Sequence, residues 1–366
     1  MATTEIAPFK NWEQIYQQLY LREQNWTHGR AQSVKILYGH KERINDAKLK
    51  ENILVTGSTD RTVRVWDLDK GKCLRVFKGN TFSSVDFLVK EKIVVASTFF
   101  RASFVWDMES GELLQELTGH VSAVRVISLN ETYVASCAFD GSIIIWIWRT
   151  GEKVASICTN AQDFRFLDNT IVALSNNNDK ELKVYSLPKG TFLFSIPFDE
   201  GLFGWAYFKN VISKQQQNQE MLTLEMLEEY ITLPANISKL KSQSPSSSSW
   251  SNSSASTARA IACDIRKGRV VRGFRDRDEE SLYTNSGTGA SIILDLQLFD
   301  NVGQSSMVHS RLAELAKLRI QSYTTVDMDY RRIVVGCANG LIGILGFDDY
   351  YILDTDTSYN TTASTV

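Results

Sequence analysis

The sequence predicts an all-β fold, a ring of repeated four-stranded sheets (a β-propeller) preceded by a short N-terminal helix. Three observations carry this. Gly39-His40, Gly79-Asn80 and Gly119-His120 open successive units, while Trp66, Trp106 and Trp146 close them. Both series advance by 40 positions, and a fixed period of that order marks one supersecondary unit copied along the chain. Between the markers, short apolar runs alternate with turn residues, the pattern of half-buried strands rather than helices.

In the first unit the strands fall near 44–49, 53–57, 62–67 and 73–77. Trp66 and Trp106 are followed by Asp67 and Asp107, and Trp146 by Ile147. Units with Gly-His at the opening and Trp-Asp at the close resemble the WD40 repeat family. The resemblance implies a buried tetrad of His, Ser or Thr, Asp and Trp in each intact unit. It maps onto His40, Thr56, Asp60 and Trp66, and again onto His120, Ser136, Asp140 and Trp146. A carboxylate can hold the imidazole, which reaches the hydroxyl, which takes the indole N–H, so every buried polar group has a partner. These residues therefore read as structural, not catalytic. The second unit keeps only Trp106, with Asn80, Ala96 and Phe100 in the other three places. A fourth unit has Tyr185 at the Trp place, with Ser175 and Asp179 before it.

Residues 1–32 read as a helical linker. From Asn11 to Gln24, Trp12, Ile15, Tyr16, Leu19 and Tyr20 fall at helical spacing and would form a packed face. Asn11-Trp12, Tyr20-Leu21-Arg22, Asn25-Trp26, Gly29-Arg30 and Leu37-Tyr38-Gly39-His40 resemble the segment that joins the F-box to the first blade in F-box/WD-repeat proteins. The F-box itself needs more chain than the ten residues before Asn11. Two readings stay open: a longer product with that module upstream, or a propeller without it. The alternating run 33–38 is expected to become the outer strand of the last blade and so close the ring.

The propeller is expected to span 33–353, with a polar tail at 354–366. Two strands are expected at 202–208 and 211–214. A Ser/Gln-rich stretch at about 215–258 reads as a disordered insertion: its serine-rich part, 242–256, has too little apolar content to fold, while Met221–Tyr230 has the pattern of a short helix. Strand patterns resume at 260–265 and 270–274, then 281–286 and 291–296, then 323–328, 333–337 and 340–346, after a helical pattern at 309–318. Closing places are assigned at 66, 106, 146, 185, 263, 294 and 345, giving seven blades. Only six residues (275–280) separate two of these units, too few for an inner strand.

Lys plus Arg number 40 and Asp plus Glu 42, a net charge of −2. That balance offers no global attraction for nucleic acid or an anionic membrane. No run is long and apolar enough to span a bilayer, and the five cysteines lack ligand or CxxC spacing. The chain reads as intracellular (cytoplasm or nucleus), with reduced buried thiols, no metal and no cofactor. No catalytic constellation is found. Gly287-Thr288-Gly289 is too short for a phosphate loop, and the acidic run Asp276 to Glu280 reads as a solvated loop. The expected role is protein binding on the rim of the central channel, where inner strands open. Repeat spacing assigns Asn45, Asp86, Arg125, Arg165, Trp205 and Asp327 to that rim. In F-box/WD proteins, arginines at such places bind phosphorylated degrons, which implies phosphopeptide capture by Arg125 and Arg165 and, with an upstream F-box, a cullin adaptor as partner. The alternative is a WD40 scaffold unrelated to ubiquitin.

Overall fold

The computed structural model describes residues 12–27, 31–167, 169–175, 181–197, 260–264, 269–275, 292–299, 305–308 and 323–348. Helix α1 (Trp12–Thr27) leads into β1 (Ser33–Leu37). The next sheet holds β2 (Ile44–Lys50), β3 (Ile53–Ser58), β4 (Thr62–Asp67) and β5 (Lys72–Lys78). It is followed by β6 (Phe82–Leu88), β7 (Ile93–Thr98), β8 (Ser103–Asp107) and β9 (Leu113–Leu117). A third comprises β10 (Val124–Leu129), β11 (Tyr133–Ala138), β12 (Ser142–Ile147) and β13 (Glu152–Cys158). Then come β14 (Ala161–Leu167), β15 (Thr170–Ser175), β16 (Glu181–Ser186) and β17 (Thr191–Pro197). Beyond them lie β18 (Ala260–Asp264), β19 (Arg269–Arg275), β20 (Ile292–Phe299) and β21 (Ser305–Val308). The last strands are β22 (Tyr323–Met328), β23 (Arg332–Cys337) and β24 (Ile342–Gly346).

Each sheet is an antiparallel meander of four strands in chain order, except the last, where β1 takes the outer place beside β24. Its register runs from Ser33 opposite Gly346 to Leu37 opposite Ile342. Inner strands pack side by side, β22 against β2, β2 against β6, β6 against β10 and β10 against β14, with β18 on the other side of β22. The second strand of each unit is buried almost throughout (β3, β7, β11, β15), whereas outer strands β5, β9 and β13 are largely exposed. Sheets packed face to face bury both faces of their inner strands, so those read as continuous Val/Ile/Ala runs such as Ile93-Val94-Val95-Ala96.

The described residues make six four-stranded sheets. The expected count of seven had placed Cys263 and Leu294 in different blades. The structure puts them on β18 and β20 of one sheet, β18-β19-β20-β21. Residues 276–280 therefore fall in sequence between β19 and β20 of one sheet rather than between two units. The expected strands at 202–208, 211–214 and 281–286, the insertion, the 309–318 helix, Asp179 and the tail lie outside the described residues.

Helix α1 departs from its expected packing. Tyr16 is 68% exposed, and Leu19 and Tyr20 are also exposed. The docking is made at the helix end instead. Trp26 is fully buried, stacks on Phe347 at 3.7 Å between ring centroids and donates its Nε1 to the Tyr330 carbonyl at 3.0 Å. Asn25 donates to the Phe347 carbonyl at 3.1 Å, and Arg22 lies 3.5 Å from Asp348 and over the Tyr330 ring. The final turn thus plugs the core of Val326, Met328, Ile333, Val335 and Leu345, where a buried indole combines apolar area with a satisfied N–H.

In the first unit the polar chain is continuous. Trp66 Nε1 donates to Thr56 Oγ1 (2.9 Å), Thr56 Oγ1 meets His40 Nε2 (2.8 Å), and His40 Nδ1 meets Asp60 Oδ2 (2.9 Å). One arrangement satisfies all of them: neutral His40 protonated on Nδ1, with the Thr56 hydroxyl donating to Nε2. Burial pushes the His40 pKa below its ordinary value, which keeps the ring neutral.

The third unit is incomplete, contrary to the expected repetition. His120 Nε2 meets Ser136 Oγ at 2.7 Å, but Nδ1 meets Ser142 Oγ at 3.1 Å. Asp140 is exposed and accepts the Ser142 amide. In the first unit the Thr62 hydroxyl lies at the same 3.1 Å from His40 Nδ1, so the units differ in the carboxylate, which reaches the ring from Asp60 and not from the exposed Asp140.

The second unit replaces polarity with aromatic packing. Trp106 lies 5.1 Å from Phe77, 5.9 Å from Phe82 and 5.5 Å from Phe104, centroid to centroid. In the fourth unit Tyr185 Oη donates to Thr159 Oγ1 at 2.6 Å. Cys137 and Cys337 are buried and their thiols are pushed up to about 12 by burial, whereas Cys158 is exposed, unlike the buried thiol expected there.

Thr56→Val strands both Trp66 Nε1 and His40 Nε2 in the core; denaturant titration should show a loss of about 2–4 kcal/mol, the cost of two unsatisfied groups. Because the folded-state pKa values of His40 and His120 are lowered, chiefly by burial, their contribution is complete above the unfolded value of about 6.5. Stability should therefore fall as pH drops below that value toward the folded pKa. Melting temperatures taken across pH 5–8 check this, and His40→Gln should flatten the slope.

Candidate functional site

The site is the end of the sheet ring where the inner strands begin. Five of these strands carry a bulge after their first residue: at Asn45, Ser83, Arg125, Gln162 and Thr324. A bulge adds one residue and re-aims its side chain, and three of these side chains reach the next sheet. Thr324 Oγ1 donates to the Ile44 carbonyl, Asn45 Nδ2 to the Phe82 carbonyl (2.6 Å) and Arg125 Nη1 to the Gln162 carbonyl (3.2 Å).

One layer deeper, aspartates bridge neighbouring strands. Each uses one oxygen for the amide of the residue after it and the other for an amide of the adjacent sheet. Asp327 accepts Met328 N (2.9 Å) and Leu49 N (2.8 Å). Asp46 accepts Ala47 N (3.0 Å) and, from the next sheet, Ser84 Oγ (2.8 Å) and Val85 N (3.1 Å). Asp86 accepts Phe87 N (2.9 Å) and Leu129 N (3.0 Å), and takes Lys50 Nζ at 2.7 Å. Burial alone would raise the Asp86 pKa; Lys50, with Lys48 and Arg165 nearby, outweighs it and holds the carboxyl below the usual range.

The expected rim set therefore divides. Asn45 and Arg125 sit at the mouth. Asp86 and Asp327 are occupied in clasps between sheets, so neither is a free rim group. Arg165 is 4% exposed, bonds the Phe164 carbonyl at 3.0 Å and lies 3.8 Å from Asp163. Trp205 lies outside the described residues.

Arg125 and Arg165 are not at equivalent places, contrary to the repeat-spacing expectation. Arg125 is the bulge residue, matched by Gln162; Arg165 stands three residues further in, matched by Ser128 and Asp86. The physical reason is loop length: β9 and β10 are joined by residues 118–123, β13 and β14 by 159–160 alone. A fixed step of 40 therefore slides the register of the fourth inner strand. The paired guanidinium grip for a phosphate is not formed.

The mouth instead presents Arg125 over the Phe139 ring at 4.4 Å, with Phe139 53% exposed. Phe99 and Phe139 occupy the same turn place in the second and third units, one residue before Phe100 and Asp140. The signal available was the aromatic pair Phe99-Phe100 at the turn where intact units carry aspartate.

Among the described residues no group of His, Cys, Asp or Glu could hold a metal ion, and no helix is long and apolar enough to cross a membrane. His40 and His120 are committed within their sheets. Asp86→Asn leaves Lys50 beside an uncharged partner in a buried position and should cost about 3 kcal/mol. Adding Lys50→Met to that variant should recover much of the loss in the same denaturation assay.

The family model described as "WD domain, G-beta repeat" matches residues 31–67 and 111–146. The "Probable E3 ubiquitin ligase complex SCF subunit sconB" of Penicillium rubens is 37% identical over 67 residues, 18% of this chain and 10% of that protein. The "WD repeat-containing protein pop2" of Schizosaccharomyces pombe is 52% identical over 44 residues, 12% of this chain and 6% of that protein. The computationally designed Ika8 protein aligns over 85% of this chain and 98% of its own, at 18% identity and a TM-score of 0.47. The chain matches a tenth or less of the length of those two curated relatives. The repeat match identifies WD40 repeats at residues 31–67 and 111–146, and the four-stranded meanders closed by Trp66, Trp106 and Trp146 are the blades of a β-propeller.

Proposed function

We propose that this propeller holds a protein substrate for a cullin-type ubiquitin ligase, with the transfer chemistry performed by its partners. The observation that supports the reading is the local identity with the SCF subunit named above, over 67 residues. The docked end of α1 fits such a role. Arg22, Asn25 and Trp26 fix the helix to the last sheet, so a module attached before α1 would be held at a defined angle to the propeller. The substrate would be bound at the mouth formed by Asn45, Arg125 and the neighbouring turns. Capture of a phosphate by Arg125 with Arg165 is not part of this reading, because Arg165 is buried.

Affinity purification of the full-length transcript product, with any upstream exon, should recover a cullin adaptor. Recovery of none would end the ligase reading and leave a WD40 protein-interaction scaffold.

A further inference from the structure

We propose that the turn Phe99–Arg101 of the second unit, together with Val121 and Phe139 of the third, docks an acidic peptide segment bearing a large apolar side chain. This rests on the reading that the mouth face receives a protein, and it names the chemistry of what is received.

The apolar part is exposed where exposure is costly. Val121 is 74% exposed, Phe100 65% and Phe139 53%, and Phe99 is exposed as well. They share one edge. β7 ends at Thr98 and packs directly against β10, which begins at Val124, so the 99–101 turn and the segment leading into β10 are neighbours. Phe99 N bonds the Thr81 carbonyl and Phe139 N the Ala123 carbonyl, which fixes both turns to the mouth end of their sheets. Clustered exposed aromatics of this kind mark interaction surfaces, and large aromatic side chains dominate the binding energy of such surfaces.

The second unit is the one that lost its tetrad. Phe100 stands where Asp60 and Asp140 stand in the first and third units. With Ala96 and Trp106 in an aromatic core, no buried imidazole in this unit requires that carboxylate. The turn is thereby free to carry an aromatic outward.

The electrostatic part sets the occupant. On the mouth loops of the first three units stand Lys41, Arg43, Arg61 and Arg101 with Glu42, Asp60 and Asp140, and the adjoining strand ends add Lys78 and Arg125. Asp60 and Asp140 are engaged in their own turns. The surplus of cations around an apolar patch complements a negatively charged segment.

Arg61 and Arg101 adopt φ of 67° and 73° at the turn place where the third and last units use Gly141 and Gly340. A left-handed backbone favours glycine. Placing arginine there works against the local fold, and outward charge is what the residue contributes.

The test uses the whole purified chain on an array of random-sequence peptides, followed by titration of a selected labelled peptide. Bound peptides should be enriched in Asp or Glu next to Leu, Phe or Trp. Arg101→Gly relieves the left-handed turn and should not lower the melting temperature, yet it should weaken the peptide about tenfold, as loss of one interface anchor does. Phe100→Asp should weaken it at least as much, while Lys90→Glu at the opposite end should not.

Unchanged binding in Arg101→Gly and Phe100→Asp, or selected peptides without acidic and apolar residues, overturns the proposal. So does concentration-dependent dimerisation abolished by the same variants, because the occupant is then a second copy of this chain. Recovery of no cullin adaptor leaves this result standing. Peptide failure with adaptor recovery removes only the docking site.

Discussion

The molecule depends on the aspartates that tie one inner strand to the next. The Asp327, Asp46 and Asp86 carboxylates each cap a local amide and an amide of the neighbouring sheet. Sheets stacked around an axis share no backbone ladder with each other, so apolar packing alone would let them slide. An acceptor aimed at a specific amide fixes the height of each sheet against the next, and buried amides that would otherwise lack a partner gain one. The bulges complete the arrangement, since the extra residue at Asn45, Arg125 and Thr324 turns a side chain toward the adjacent carbonyl. Consequently much of the polarity at the channel mouth is spent internally. What remains for a partner lies in the outer turns.

Within a sheet, the same stability problem is solved in different ways. The first unit runs a hydrogen-bonded chain from Trp66 to Asp60. The third makes half of it and lets Ser142 finish the ring contact. The second abandons polarity and packs Trp106 among Phe77, Phe82 and Phe104. Each is acceptable because a network is costly only when partly satisfied, and each leaves the turn between the second and third strands with a different surface. The degenerate unit is therefore the one whose turn can change without cost to a buried histidine.

Much of the architecture was legible in the chain. The Trp and Gly-His markers located the four strands of the first unit to within a residue or so, because alternation and turn chemistry are local. The closing strand at Ser33–Leu37 was legible for the same reason. The packing of α1 was not: helical spacing picked Tyr16, Leu19 and Tyr20, which are exposed, whereas Trp26 in the final turn packs on the last sheet. The blade assignment beyond Pro197 also failed to follow from spacing, since Cys263 and Leu294 each resemble a closing residue while sharing a sheet.

The sequence by itself determined the propeller, its repeating unit, and the residues of the first tetrad, because these depend on local pattern and on a fixed period. The tertiary structure decided which side chains face a partner. Asp86 and Arg165 carry charges that a repeat alignment sends to the rim, and both are buried between strands. The reason is register: the loops before β6, β10 and β14 differ in length, so equal numbering does not give equal height. Only the packed inner strands show that Arg125 stands at the mouth while Arg165 lies three residues below it.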